Sequence, residues 1–202
     1  MQYRNFLSAQ RLAQVFDLSK YDSVLELGCG EMVQAFVIKK LYPHLRYCAS
    51  DFDPYIIKKC SSLPLLSNIE KRVIDVMTLN ASDLLPFQLV LSWELLYALD
   101  DEKMLRLFSA LGAARVSMIA ATTQLTGPLR AIIRWLKGIP FREGGDQKSN
   151  RKGLRMHGWH HSLGYFEHLS KKFCMKLERV WYPNYWKKTP DNFTFLFFSA
   201  RS

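Results

Sequence analysis

The stretch Val24–Phe36, VLELGCGEMVQAF, decides the fold. Apolar residues run into Gly28-Cys29-Gly30, and apolar positions at helical spacing follow. That order predicts a strand, a tight turn and the start of a helix. Backbone without Cβ atoms lets a ligand lie against such a turn, and the helix beyond it offers free N–H groups. Met32 stands where a third glycine is expected, so the dinucleotide fingerprint G-x-G-x-x-G is not met.

Outward from this loop, strand and helix alternate. A helix over 5–17 and a strand over 22–27 lead into a helix over 31–41. A strand over 45–50, a helix over 54–61 and a short strand near 70–74 follow. The continuous apolar run FQLVLSW (87–93) predicts a strand buried on both faces. Asp100 and Asp101 open a helix over 100–114, and VSMIAATT (116–123) is another buried strand. Regular alternation implies right-handed crossovers and a doubly wound, mostly parallel sheet with helices on both faces. A helix over 162–173 then precedes two runs, 176–183 and 193–200, with no helix between them. They form an antiparallel pair, so the seven-stranded sheet is mixed.

Asp51 ends the second strand, 21 residues beyond Gly30. A carboxylate at that strand tip can accept both hydroxyls of a ribose in the crevice outside the strand ends. Phe52 can cover one face of an adenine, and Asp75 can accept from its exocyclic amine. Each also has a plainer reading: Asp51 and Asp53 as helix N-caps before Pro54, and Asp75 as a turn residue. Three strand tips presenting glycine, carboxylate and carboxylate in order favour the nucleoside reading.

At this point the chain resembles the class I S-adenosylmethionine-dependent methyltransferases, well over residues 20–125 and in outline over 160–200. VLELGCG looks like the family's first motif, ASDFDPY its second, RVIDVM its third and FQLVLSWELLYALDD its fourth. The resemblance implies a Rossmann-like domain over 1–202, with an N-terminal helix over 1–19. It implies S-adenosylmethionine as cofactor and S-adenosylhomocysteine as product. Gly28, Cys29 and Gly30 would flank the methionine part, with Glu26 supporting that loop. Asp51 would bind the ribose, Phe52 would pack on the adenine, and Asp75 with Val76 would read its edge. Ser92 and Trp93 would face the sulfonium. Met32 replaces the family's usual third glycine, and LGAARVSMI lacks the Pro-Gly-Gly turn common before the fifth strand.

Transfer from a sulfonium needs a base only where the acceptor must lose a proton. His161 and His157, in LRMHGWHHSLGYF, are candidates, and both read equally as exposed or helix-capping histidines. Their i, i+4 spacing mimics a metal pair, but no cysteine or carboxylate beside them completes a set, and no metal is expected. Tyr97, with Trp93 and Glu94, is a candidate for the acceptor pocket or for plain core.

Charge is unevenly placed along the 202 residues. Residues 1–100 carry 10 Lys/Arg against 11 Asp/Glu, whereas 101–202 carry 18 against 7. The basic second half suits an anionic partner (a membrane surface, nucleic acid or acidic substrate) or is simply a solvated surface. Residues 124–161 exceed any simple crossover and read as a basic lid-like insertion. Within it GPLRAIIRWLKG is an amphipathic basic helix that either packs as a lid or lies on an anionic bilayer. WYPNYWKKTP mixes aromatics with lysines, which suits bilayer interfaces and single strands alike.

No run of about 18 apolar residues is present, and the four cysteines form no CxxC pair. A cytoplasmic protein with reduced thiols is expected, with peripheral contact at a membrane surface as the further option. The turn after the fourth strand reads SWEL, which lacks the Asn/Asp-Pro-Pro-aromatic sequence of base-amine methyltransferases. Cysteine is absent there, which disfavours attack through C5 of cytosine. The expected function is methyl transfer to O or N of a small-molecule or lipid- or sugar-linked acceptor. The alternatives are a non-catalytic binding module, an RNA ribose methyltransferase or a nicotinamide-dependent reductase.

Overall fold

The computed structural model describes residues 2–122, 136, 161–182 and 193–200. Helix α1 (Gln2–Val15) leads into β1 (Ser23–Leu27), α2 (Val33–Leu41), β2 (Arg46–Asp51), α3 (Pro54–Ser61) and β3 (Glu70–Val73). Then come α4 (Ala81–Leu84), β4 (Leu89–Trp93), α5 (Asp101–Ala114) and β5 (Ser117–Thr122). Helix α6 (Leu163–Lys172), β6 (Met175–Trp181) and β7 (Thr194–Ala200) complete the described elements.

The strands form one seven-stranded sheet in the order β3-β2-β1-β4-β5-β7-β6. Neighbours from β3 to β5 are parallel, and β7 runs antiparallel to both β5 and β6. This is the mixed, doubly wound sheet that the sequence predicts.

Strand β1 is buried along its whole length because β2 and β4 flank it and helices cover both faces. Alternation along it splits the core. Leu25 and Leu27 join a cluster with α4, α5 and α6, through Leu84, Phe108 and Phe166. Val24 joins the opposite cluster with α1, α2 and α3, through Leu12, Ile38 and Ile57. Burying each such side chain contributes about 1.5–3 kcal/mol.

Caps set several boundaries. The Asp100 side chain accepts from Lys103 N at 3.0 Å and starts α5. The expected N-terminal helix over 1–19 divides: α1 ends at Val15, and Asp17 starts a separate 3-10 turn by accepting from Ser19 N. Helix α2 begins two residues later than expected because Met32 takes a left-handed φ of 58°. Helix α4 has no counterpart in the sequence reading. Its Asn80/Asp83 capping box holds a four-residue turn too short to show periodicity.

Candidate functional site

The strand order reverses between β1 and β4, so the loops after them diverge and leave a crevice at the carboxyl ends of the strands. The glycine loop forms one lip. Gly28 and Gly30 have φ of 73° and 50°, which glycine adopts without the Cβ penalty. A Cβ on Gly28 would lie 3.3 Å from Leu95 Cδ1, whereas one on Gly30 would meet nothing within 4 Å. The space over Gly30 is therefore open for a ligand.

Asp51 ties the loop to β2. Its Oδ2 accepts from Gly30 N at 3.0 Å and its Oδ1 from Asp53 N at 3.1 Å. Cys29 N donates to Ser50 O at 2.8 Å, a second link between the same strands. Asp51 is buried, with lone pairs left beyond those two bonds. Asp53, rather than Asp51, caps α3 by accepting from Tyr55 N at 2.8 Å.

Beneath the loop, Glu26 is fully buried. Tyr47 donates to its Oε2 at 3.0 Å, and its Oε1 has no partner. Burial, reinforced by the Asp51 charge, pushes the Glu26 carboxyl up to about 8, against the smaller downward pull of the Tyr47 hydrogen bond. The Trp93 indole N–H comes near the same hydroxyl without meeting hydrogen-bond geometry.

A cavity of about 470 Å³ opens beside the loop. Gly28, Phe52, Asp75 and Val76 line it together with Leu95 and Lys103. Phe52 is largely exposed, and Asp75 accepts from Met77 N at 2.9 Å in a turn of its own. Four residues singled out by sequence thus share one cavity, whereas Glu26, Cys29, Gly30 and Asp51 are not in its lining.

The remaining candidates sit differently. Ser92 is buried with an unpartnered Oγ, and the Trp93 ring is spent on edge-on packing against Phe193 and Phe195. Tyr97 is half-buried, and burial followed by the Glu94 charge raises its pKa, so its hydroxyl stays protonated. His161 is buried, stacks on Tyr165 at 4.7 Å and is absent from the cavity lining. Its Nε2 faces Leu99 O at 3.0 Å and must donate there, leaving Nδ1 as the acceptor, which has no partner. Burial lowers its pKa, so the ring is the more readily neutral. This anchoring is visible only in three dimensions.

His157, the basic segment GPLRAIIRWLKG apart from the exposed Leu136, and Tyr185 to Lys188 lie outside the described residues. Trp181 packs on Phe195 at 5.4 Å with the Arg11 guanidinium over it, a half-buried residue against the edge of the core. No helix among the described residues is long and apolar enough to cross a membrane.

The sheet order, the reversed β7 and the crevice at the β1–β4 seam are the fold of the class I S-adenosylmethionine-dependent methyltransferases. Among solved structures, the chain is similar to human N-acetylserotonin methyltransferase in complex with S-adenosylmethionine. They are 15% identical with a TM-score of 0.67, over 97% of this chain and 52% of that one. It is similar to the mitomycin 7-O-methyltransferase at 15% identity and TM-score 0.68, over 97% and 54%. A Pyrococcus horikoshii protein, PH0226, is 16% identical with TM-score 0.68, over 98% and 89%. The chain spans about half the length of the first two. At these identities the likeness is one of fold. No family model matches the sequence, and no curated protein matches it.

Proposed function

We propose that this chain binds S-adenosylmethionine and transfers its methyl group to O or N of a small-molecule or lipid- or sugar-linked acceptor. The observation that carries the reading is the set of groups around one crevice: the open space over Gly30, the Asp51 carboxylate beside it, and Asp75 with Phe52 on the cavity wall. Met32 stands where the dinucleotide fingerprint has its third glycine, which disfavours a dinucleotide. The orphaned Glu26 Oε1 leaves a polar position under the loop for a water or an ammonium group.

In this reading Asp51 holds the ribose hydroxyls through its free lone pairs, and Asp75 and Val76 meet the adenine edge while Phe52 covers its face. Gly28 and Gly30 let the amino-acid part approach backbone. The bound cofactor supplies an electrophilic methyl, so the chain's contribution is positioning. Tyr97, kept protonated, orients an acceptor by donating a hydrogen bond. Proton removal, where the acceptor requires it, falls to His157 or to solvent, because the His161 ring is buried against the Leu99 carbonyl and away from the cavity lining.

Calorimetry with S-adenosylmethionine tests the reading. Binding by the intact protein, lost in Asp51→Ala, is expected. No binding, or full binding by that variant, defeats it. The structural neighbours named for S-adenosylmethionine and for 7-O-methylation support the same direction by fold.

A further inference from the structure

Among the described residues that line the cavity beside the glycine loop, two are charged, Asp75 and Lys103, and the rest are apolar or glycine. Lys103 stands in the first turn of α5, just beyond Leu99 of the cavity wall. Its backbone N–H donates to Asp100 Oδ1 at 3.0 Å, and its Nζ lies 3.3 Å from Asp100 Oδ2. The backbone bond first, and then the ammonium, hold the Asp100 carboxyl below the ordinary carboxylate range, so the pair stays ionised. Lys103 is half-buried, and of its three N–H donors Asp100 engages one. The ammonium therefore meets the cavity with its charge balanced and with donors to spare. Asp75 is exposed, and its Oδ1 accepts from Met77 N at 2.9 Å, which leaves the lone pairs of Oδ2 for a ligand.

An ammonium only donates hydrogen bonds and a carboxylate only accepts them. A ligand that satisfies both walls must turn an acceptor to Lys103 and a donor to Asp75. Because Asp100 already balances its charge, Lys103 suits a neutral ring nitrogen better than a phosphate or a carboxylate. Phe52, Ile74, Val76 and Leu95 supply apolar surface for the faces of a flat ring. Adenine meets these demands along one edge, where its 6-amine donates and the adjacent N1 accepts. Hypoxanthine reverses both, with a carbonyl oxygen and an N1–H in the same places. Asp51, which holds the ribose in the reading above, lies outside the cavity lining, so the base enters with the N1 edge, the one farthest from the sugar, foremost.

We propose that Lys103 is a specificity residue for the base of the cofactor; this assignment rests on the methyltransferase reading. Its ammonium donates to adenine N1 while Asp75 accepts from the 6-amine, so the cavity takes an adenosyl cofactor and rejects an inosyl one. A base that lacks N1, or reverses its edge, leaves a charged wall group facing the ring without a partner. That loss exceeds what the bond itself contributes. Lys103 touches no reacting atom and moves no proton. Its work is selection.

The test is calorimetry on the intact protein with S-adenosylhomocysteine and its 1-deaza, 7-deaza and inosyl analogues, a comparison that needs no variant. Wild type is expected to bind the 1-deaza and inosyl analogues at least about tenfold more weakly, and the 7-deaza analogue within about twofold of the parent. Lys103→Met is expected to weaken S-adenosylhomocysteine about tenfold and to leave the 1-deaza analogue unchanged, so the preference for N1 disappears. Lys103→Arg, which keeps a charged donor, restores part of it. Equal binding of S-adenosylhomocysteine and its 1-deaza analogue by wild type, a preference that survives in Lys103→Met, or a loss confined to the 7-deaza analogue overturns the proposal and leaves the cofactor reading intact. A wild type that binds neither S-adenosylmethionine nor S-adenosylhomocysteine defeats the methyltransferase reading and this assignment with it.

Discussion

At the tips of β1 and β2, the chain satisfies its own polar groups: Asp51 accepts from Gly30 and Asp53, Cys29 N donates to Ser50 O, and Asp75 accepts from Met77. At the tips of β4 and β7, Ser92 Oγ and Thr194 Oγ1 are buried with no partner, and so is Arg4 Nε beside them. The first half is held in shape before any ligand arrives, at the cost of one orphan, Glu26 Oε1. The second half buries its unmet hydrogen-bonding capacity away from solvent. Only the first arrangement presents a frame held in shape before a ligand arrives.

The largest expected effect tests whether the halves are separable. Gly112→Ala would drive a Cβ into the Phe173 carbonyl oxygen, where α5 passes the end of α6. Urea unfolding is expected to show a loss of about 3 kcal/mol. Affinity for S-adenosylmethionine should stay within about twofold, because distant sites act independently. A stable variant, or one that loses cofactor in step with stability, breaks the division.

Asp51→Ala should do the reverse, weakening S-adenosylmethionine about 100-fold, or about 2.7 kcal/mol, in calorimetry. Its unfolding midpoint should move less than that of Gly112→Ala.

Glu26 sharpens the comparison through pH. Its folded pKa of about 8 lies above the ordinary value of 4.5, so the folded state holds the proton that the unfolded chain releases. Stability from this group is therefore present at low pH and falls as pH rises between those values. From pH 6 to 8 the loss is about 2 kcal/mol at about 1.4 kcal/mol per unit. Glu26→Gln should flatten that slope in chemical denaturation, and an unchanged slope would place the titrating group elsewhere.

Gly30→Ala is milder. Its left-handed φ costs about 1 kcal/mol and no neighbour resists the new methyl, so the thermal midpoint should shift little while cofactor affinity falls. Equal cofactor affinity would mean that the open space over Gly30 is unused.

The smallest effect concerns the thiols. Cys174 is exposed, whereas Cys29, Cys48 and Cys60 are buried and burial raises the pKa of each. A thiol reagent on the folded protein should modify one cysteine quickly and the other three only on unfolding.

The sheet was legible because buried parallel strands such as SVLEL and LVLSW show as largely apolar runs, and because the runs 176–183 and 193–200 have no helical pattern between them in the sequence. The residues proposed for the cofactor were picked out by glycine and aspartate at strand tips at fixed offsets, and the structure brings Gly28, Phe52, Asp75 and Val76 of that set to one cavity. Arg4 was not picked out. On α1 it reads as one more polar residue of an amphipathic helix, and its partner Phe193 lies near the other end of the chain. The anchoring of His161 was not legible for the same reason: the Leu99 carbonyl that holds its Nε2 is 62 residues away. Pattern reading captures what neighbours in sequence determine. It misses groups whose role comes from contacts closed across long loops.

The Arg4–Phe193 contact also carries a lesson about time. During synthesis the residues of β1 to β4, and with them the frame around Asp51, emerge while β7 has yet to be made. The edge that Phe193 and Thr194 belong to joins only with β7, which pairs with both β5 and β6, so β6 has no strand to pair with until β7 is made. A chain stalled before that insertion has a cofactor frame and no finished wall opposite it. The attachment of β6 to the rest of the sheet therefore rests on the last described strand.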